Sequence, residues 1–282
     1  MQIMGTRRPF FALSFLMIIH VLYAQEISGQ SLEASPIYVD NQEKDYKFYP
    51  GGRIGISMAT LGNLKIIGWE RGAVRTEAEI KVYSLAEEKA RVLLEKSPIR
   101  IRYNDSTSTI QITETPELIG LLEINLTVYV PATRTDLTVQ MKKGDFIIDN
   151  INGWIETTLT EGNLDLTDID GYFSGKTQKG NISAKLSRNR WQGQGLSAVT
   201  QNGDINLILP EKYSATLQLD TRNGEITVDY PSQEVEGELI PIEAVVQKKT
   251  QQLRAKIGDG GAPIRLGTQS GNVSFMKATP VQ

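Results

Sequence analysis

Apolar and polar residues alternate through the middle of the chain in short runs, and each run opens on a glycine. The second residue after each glycine is apolar in all eight runs, the fourth is mostly apolar, and the first and third are mostly polar. The eight second positions are Phe146, Ile155, Leu164, Phe173, Ile182, Ile205, Ile226 and Val273. A period of two with one apolar face is typical of a β-strand that packs one side against a core. The pattern therefore predicts a series of β-strands, each entered from a glycine.

The glycines also repeat at a fixed spacing. From Gly144 to Gly180 they are nine residues apart, and the residue that follows alternates between Asp or Asn and an aromatic. The repeating unit is therefore 18 residues with two strands, and it lengthens to 23 residues between Gly180 and Gly203. Units that cannot bury their apolar face alone are typical of stacked coils. We predict an all-β fold, a β-solenoid with coils of about 18–23 residues, right-handed because parallel crossovers almost always are.

A four-residue phrase, Thr-x-x-Gly, recurs at the start of four of these runs. Its threonines are Thr177, Thr200, Thr221 and Thr268. If each phrase forms the same corner on a successive coil, the four threonines should stack in a column in this order. The prediction has a rival, because Asn-Gly and Asp-Gly pairs at Asn152, Asp170 and Asn202 are also typical of antiparallel hairpins in a meander or sandwich. We favour the solenoid, since a meander gives no reason for the chemistry to recur every second strand.

The same pattern of glycines and alternating residues extends beyond the regular coils, so we predict a single solenoid domain over residues 51–278. Residues 51–130 hold strands and one amphipathic helix at 84–96, with a capping box from Ser84 to Glu87 and an apolar stripe. The stripe is Ala86, Ala90, Leu93 and Leu94. Residues 131–229 hold the regular coils, and 230–278 hold a strand excursion and the last coil. Residues 25–50 lack periodicity and are predicted to be a linker or a loose edge segment.

The first 24 residues have the pattern of a secretory signal peptide. Arg7 and Arg8 precede an apolar run from Phe10 to Tyr23, and a small residue, Ala24, precedes a polar stretch. The run of 14 residues is shorter than the roughly 20 that a membrane span requires, although a retained anchor or a twin-arginine export signal are the alternatives. We predict a protein exported to the periplasm, cell surface or outside, with no stable membrane span after cleavage.

Composition excludes several classes of function. Removal of Arg7 and Arg8 lowers the basic count from 30 to 28 against 33 acids, giving a net charge of about −5, which does not favour nucleic acid as a partner. The chain has no Cys, and its one His, His20, lies in the predicted signal peptide. Without His or Cys, the mature chain cannot form the usual nucleophilic triads or imidazole and thiolate zinc sites. We predict no cofactor, no metal and no catalytic residues.

Two groups of side chains are candidates for binding. Asp149, Asp165, Asp168 and Asp170 supply oxygen ligands for calcium, but Thr177 stands where a calcium loop needs its closing acid, so solvated turn residues are favoured. Trp154 and Tyr172 occupy the same outward position on adjacent predicted coils. They are the candidate ligand-contact face, because exposed aromatic rings stack on sugars. The alternative is a purely structural aromatic pair, or a pair covered by the N-terminal region, which we favour.

Three stretches carry a resemblance to a known family. They are PGGRIGISMATLGNLKIIGWERGAV near the start, VYVPATRTDLTVQMKKGDF before the coils, and GDGGAPIRLGTQSGNVSF at the end. Together they resemble the bacterial putative-adhesin family of β-strand-repeat proteins of unknown function, over about residues 50–277. The resemblance implies an exported or envelope-associated protein with β-solenoid character and no established catalytic residues.

The function predicted from these observations is an exported, non-enzymatic β-solenoid scaffold for adhesion or interaction at the cell envelope. Its partner is predicted to be an envelope protein or a glycan. The alternative is a polysaccharide-active enzyme, a glycosidase or lyase, that uses acidic residues on the solenoid wall, since two carboxylates suffice for glycoside hydrolysis.

Overall fold

Buried and exposed residues alternate along almost every strand of the computed structural model, which describes residues 38–83, 86–231, 235–242 and 250–278. The predicted signal peptide lies outside these residues. The strands described are β1 (Tyr38–Lys47), β2 (Arg53–Leu61), β3 (Leu64–Trp69), β4 (Ala73–Val82), β5 (Ile99–Asn104), β6 (Thr109–Glu114), β7 (Leu122–Pro131), β8 (Asp136–Lys143), β9 (Phe146–Asp149), β10 (Asn152–Glu161), β11 (Leu164–Thr167), β12 (Asp170–Lys179), β13 (Ile182–Lys185), β14 (Gly193–Asn202), β15 (Ile205–Leu209), β16 (Ala215–Thr221), β17 (Ile226–Asp229), β18 (Val235–Ile242), β19 (Thr250–Ile257), β20 (Pro263–Ser270) and β21 (Val273–Lys277). One helix, α1 (Glu87–Leu94), and a 3₁₀ turn (Pro116–Leu118) interrupt them.

The strands of the coils form two parallel ladders. In the first ladder the order is β6, β2, β8, β10, β12, β14, β20, β16. In the second it is β7, β3, β9, β11, β13, β15, β21, β17. Each coil gives one strand to each ladder, and neighbours pair 18 residues apart in the regular part, as in Ile155 with Phe173 and Leu164 with Ile182. The fold is all-β, and its coils pair in parallel, so the hairpin alternative is wrong for this region.

Antiparallel strands occur at the two ends of the ladders. At one end β5 pairs with β6, β4 pairs with β7, and β1 pairs with β4. At the other end β19 pairs with β16 and β18 pairs with β19. The packed structure therefore begins earlier than the predicted boundary at residue 51, since β1 is an edge strand and Phe48 is buried.

The order of the coils differs from the order of the chain at both ends. The coil β20–β21, which is last in the chain, pairs with β14–β15 on one side and β16–β17 on the other. Likewise β2–β3, the first coil in the chain, lies between β6–β7 and β8–β9. The threonine column is real, but its order is Thr177, Thr200, Thr268, Thr221. The prediction that the four stack in chain order is wrong.

The core lies under the inward residues of the two ladders. All eight residues predicted inward at the second position are buried, and all but Ile226 are fully buried. Among the apolar residues in the fourth position after a glycine, Val228 is the exception, because it is 40% exposed. It lies on β17, which ends its ladder and pairs, among the described strands, with β21.

The helix is shorter than predicted and starts differently. It begins at Glu87 after Ala86, and no side chain caps that end. Glu87 instead accepts a hydrogen bond at 2.8 Å from Arg91, one turn later. Ser84, the predicted cap, lies outside the described residues. Glu87 is the first helical residue rather than the third, so it does not occupy the place that the predicted capping box gives it. Ala90 and Leu94 are buried, whereas Ala86 is exposed.

The Thr-x-x-Gly corner is held by hydrogen bonds between coils. Thr200, Thr221 and Thr268 are buried, and their hydroxyls donate to the carbonyl oxygens of glycines on the neighbouring coil. The acceptors are Gly180 at 2.9 Å, Gly271 at 2.8 Å and Gly203 at 2.9 Å. Each threonine therefore satisfies a corner carbonyl of the coil beside it, which is why the phrase pairs a threonine with a glycine.

A second column of hydrogen bonds runs along the residue that follows the corner glycine. The side-chain oxygen of each Asn or Asp in this column accepts the backbone N–H of the equivalent residue on the next coil, at 2.7–3.0 Å. In spatial order the residues are Asn125, Asn63, Asp145, Asn163, Asn181, Asp204, Asn272 and Glu225. Asn125 is the one member that follows an isoleucine instead of a glycine. A short polar side chain suits this position because its oxygen reaches the backbone N–H of the neighbouring coil, one strand spacing away.

Candidate functional site

Trp154 and Tyr172 lie side by side on the outer face of the first ladder. They are partners in the parallel pairing of β10 with β12, so both side chains point away from the core. Their rings are stacked, with centroids 4.0 Å apart and planes inclined by 28°. The indole N–H of Trp154 donates to Glu156 at 2.9 Å, which fixes the ring. Trp154 remains 42% exposed.

Bare backbone lies next to this aromatic pair. A shallow hollow there is lined by Gly153, Gly171 and Gly193, with Arg134 and Gln194 at its margins. A Cβ on Gly171 would lie 2.3 Å from the carbonyl oxygen of Gly153, so the close approach of the coils requires glycine here. The result is a flat strip of peptide groups beside two ring edges. Such a surface suits a ligand that lies flat on it more than a ligand that needs an enclosed pocket.

The structure shows how this pair is placed. It confirms that the two residues meet across neighbouring strands, as the repeat predicts. Among the described residues no segment covers Trp154, which is 42% exposed. The residues before Tyr38, part of the N-terminal region that was expected to cover the pair, lie outside the described residues. The position of Arg134 beside the pair was not predicted from the sequence. Arg134 lies 18 residues before Asn152, and its backbone N–H donates to the Asn152 carbonyl. The 18-residue repeat is the signal that places it beside the pair.

The four acidic residues are largely used for local structure. Asp170 is buried, forms an ion pair with Arg188, and accepts the backbone N–H of Gln192 at 2.9 Å. Burial raises the pKa of the Asp170 carboxyl above its ordinary value, and the Gln192 N–H and Arg188 oppose that shift. Asp168 accepts the backbone N–H of Ser187 at 2.7 Å. The description of these acids as solvated turn residues is therefore wrong for Asp170.

The remaining two acids lie on the second ladder. Asp149 ends β9, and Asp165 lies on β11 beside Ser183 of the next coil. Burial, followed by the nearby negative charge of Asp145, raises the pKa of Asp165. Within the part of the chain that the structure describes, no three His, Cys, Asp or Glu side chains are grouped so as to hold a metal ion.

Two stacked parallel ladders, ordered by corner glycines and carrying an exposed aromatic pair, define an all-β protein built from repeated coils. The chain belongs to the Toastrack DUF4097 family, whose model matches residues 132–275. That match covers the coils from β8 to β21, the part where the repeat is most regular. The family is one of unknown function, as the resemblance implied. No curated protein matches the chain.

Several solved structures resemble this one. A putative cell adhesion protein from Clostridium sporogenes has 12% identity and a TM-score of 0.46, with 85% of this chain and 100% of that chain covered. A putative adhesin from Bacteroides fragilis has 11% identity and a TM-score of 0.37, with 85% and 97% covered. A putative lipid binding protein from Parabacteroides distasonis has 10% identity and a TM-score of 0.32, with 86% and 95% covered.

The described residues include no helix with the length and apolarity needed to cross a membrane.

Proposed function

We propose that this protein is an exported, non-enzymatic scaffold that binds a glycan or a protein of the cell envelope through the face of Trp154 and Tyr172. The single observation behind the proposal is a stacked aromatic pair in which Trp154 is held by a hydrogen bond and is still exposed. Large exposed apolar groups on a rigid wall are typical of contact surfaces. The predicted signal peptide supports export, and right-handed winding of the coils follows from the general preference of parallel crossovers.

The absence of His and Cys from the mature chain supports a role without catalysis. The competing hypothesis, a polysaccharide-active enzyme, would depend on a wall carboxyl with a raised pKa. Asp165 and Asp170 both have a raised pKa, but Asp170 is buried and ion-paired with Arg188, which leaves Asp165 as the candidate. Asp165 lies on the second ladder, whereas the aromatic pair lies on the first. An enzyme of that kind would therefore work on a different wall from the proposed contact face.

The proposal is tested with Trp154→Ala in the mature chain that begins at Gln25. Binding is measured by capture of labelled protein on washed envelope fractions and on glycans extracted from them. We expect binding to be lost while the free energy of unfolding falls by about 1 kcal/mol or less, since only a surface ring stack is removed. A buried aromatic would instead cost about 3–5 kcal/mol.

Tyr49→Ala is the matched control, because Tyr49 is 55% exposed and lies outside the strands of the ladders, in the turn between β1 and β2. Equal capture of the parent and Trp154→Ala proteins would contradict the proposed contact face. Turnover of an envelope polysaccharide that Asp165→Asn abolishes would establish the enzyme hypothesis in its place.

A further inference from the structure

Gly267 is a glycine in the middle of β20 that the fold does not require. Its φ is outside the left-handed range, and an added Cβ would meet its nearest atom, Cγ1 of Val199, at an ordinary 3.6 Å. The corner glycines differ, since a Cβ on Gly203 would lie 2.1 Å from a carbonyl oxygen. Glycine inside a strand reduces stability, and it often marks a place where a ligand approaches the backbone. Gly267 therefore needs an explanation other than folding.

The missing side chain opens a groove on the outer face of the first ladder. Lys176, Val199, Gly267 and Asp220 are successive partners across β12, β14, β20 and β16. The groove above them has a volume of about 680 Å³ and begins at Thr158 on β10. Five neighbouring strands at roughly 4.8 Å each give it a length of about 19 Å. Both its volume and its length are in the range of a site for an extended ligand.

Amide groups dominate the wall of this groove. Gln178, Gln201 and Gln269 line it, one from each of three successive coils. An amide both donates and accepts hydrogen bonds, so a row of amides matches a ligand with many hydroxyl groups. The buried threonine hydroxyls beneath are already bonded to corner carbonyls and take no part.

The charges on either side of the floor have opposite signs. Lys176 and Val199 lie on one side of Gly267, and Asp220 lies on the other. Asp220 is held by Gln252, whose amide donates to it at 2.5 Å. Arg222 also lines the groove, so its charged side chains are two cations and one anion. Charges this nearly balanced give little attraction for a strongly anionic or cationic polymer. The exposed methyl groups of Val199 and the bare peptide at Gly267 offer a small apolar floor.

We propose that this groove is a binding site for an uncharged saccharide chain that lies across the strands, with its hydroxyl groups on the three glutamine amides. The site is separate from the aromatic pair, which lies near the other end of the long strands. The saccharide rests its C–H face on Val199 and on the peptide of Gly267. Gly267 is the residue that admits it, because any larger side chain would fill the floor.

The test uses Gly267→Val, since an added Cβ meets only ordinary contacts there and valine suits a β-strand. The probes are the neutral hexasaccharides of glucose in β-1,4 and α-1,4 linkage and of N-acetylglucosamine, measured by titration calorimetry and by NMR shift changes. We expect one of them to bind the parent protein, with shifts at Gln201 and Gln269, and Gly267→Val to weaken it at least about tenfold through steric exclusion. The melting temperature of the variant should equal or exceed that of the parent.

Two further variants act as controls. Ser183→Val adds the same side chain to the second ladder, on an outward position of β13, and should bind like the parent. Trp154→Ala should also retain saccharide binding in this groove. Failure of all three probes to bind at millimolar concentration, or equal affinity for Gly267→Val and parent, would overturn the proposal. So would binding confined to oligogalacturonate, or binding lost in Trp154→Ala and kept in Gly267→Val.

Discussion

At the scale of single residues, the corner glycines are the positions that the stack tolerates least. Gly180 has a φ of 142°, and a Cβ there would lie 1.9 Å from the carbonyl oxygen of Gly162 on the adjoining coil. The positive φ is a property of the local backbone, whereas the short distance to the carbonyl oxygen depends on how closely the coils approach. Both apply at the same atom, so a substitution there affects two coils at once.

We expect Gly180→Ala to lower the free energy of unfolding by about 3 kcal/mol or more, because the left-handed backbone and the carbonyl contact both resist the added methyl group. Urea denaturation followed by circular dichroism measures the change. Gly267→Ala is the matched control, since the same methyl group meets only ordinary contacts there and should change stability by about 0.5 kcal/mol or less. Equal losses in the two variants would mean that coil spacing does not determine the glycine requirement.

At the scale of the elements, each coil is joined to the next by more than its ladder of backbone bonds. The threonine hydroxyl at the end of each long strand bonds to the corner glycine of the neighbouring coil. The Asn or Asp that directly follows the corner glycine adds a second bond between coils. Such bonds fix the register of the coils, because a shift of one residue would break both and turn the buried face outward.

Thr200→Val tests this contribution, since valine keeps the shape of threonine and removes the hydroxyl. The buried carbonyl of Gly180 then loses a donor at 2.9 Å, and we expect a loss of about 1–2 kcal/mol in the free energy of unfolding. Thr158→Val, at an exposed position of β10, makes the same chemical change without a partner and should be neutral within about 0.5 kcal/mol. If Thr200→Val is as stable as Thr158→Val, the threonine column is not a stabilising feature.

The elements themselves were largely predictable from the sequence, because a strand with one buried face shows alternating apolar and polar residues within a few positions. All eight apolar positions that the repeat predicts to face inward, from Phe146 to Val273, are buried. The aromatic pair was predictable for the same reason, since Trp154 and Tyr172 are one repeat apart. The state of Asp170 was not predictable, because its partner Arg188 comes from an irregular loop rather than from the repeat.

At the scale of the whole domain, the order of the coils is the feature that the sequence does not encode visibly. Every coil carries the same corner chemistry, so the local pattern around Thr268 fits a place at the end of the stack as well as a place inside it. The structure puts that coil second from the end, where Thr268 pairs with both Thr200 and Thr221. What decides the order is packing between segments far apart in sequence, such as β14 and β20.

This order gives different expectations for a shortened chain. In a solenoid stacked in chain order, a stop after Ala262 would remove only a terminal coil. Here it removes the coil between β14–β15 and β16–β17, together with four fully buried side chains, Ile264, Leu266, Val273 and Phe275. Burial of four such side chains contributes about 6–12 kcal/mol, which is comparable to the whole stability of a typical domain, about 5–15 kcal/mol.

We therefore expect the chain that ends at Ala262 to lose its cooperative thermal transition, as measured by calorimetry and by circular dichroism in the strand region. A chain that ends at Ala278, just beyond β21, is the matched control and should melt like the parent, since every strand remains. A chain ending at Ala262 that melts cooperatively within a few degrees of the parent would contradict the interior position of the last coil. That result would indicate instead that β16–β17 pack directly on β14–β15, in the order of the chain.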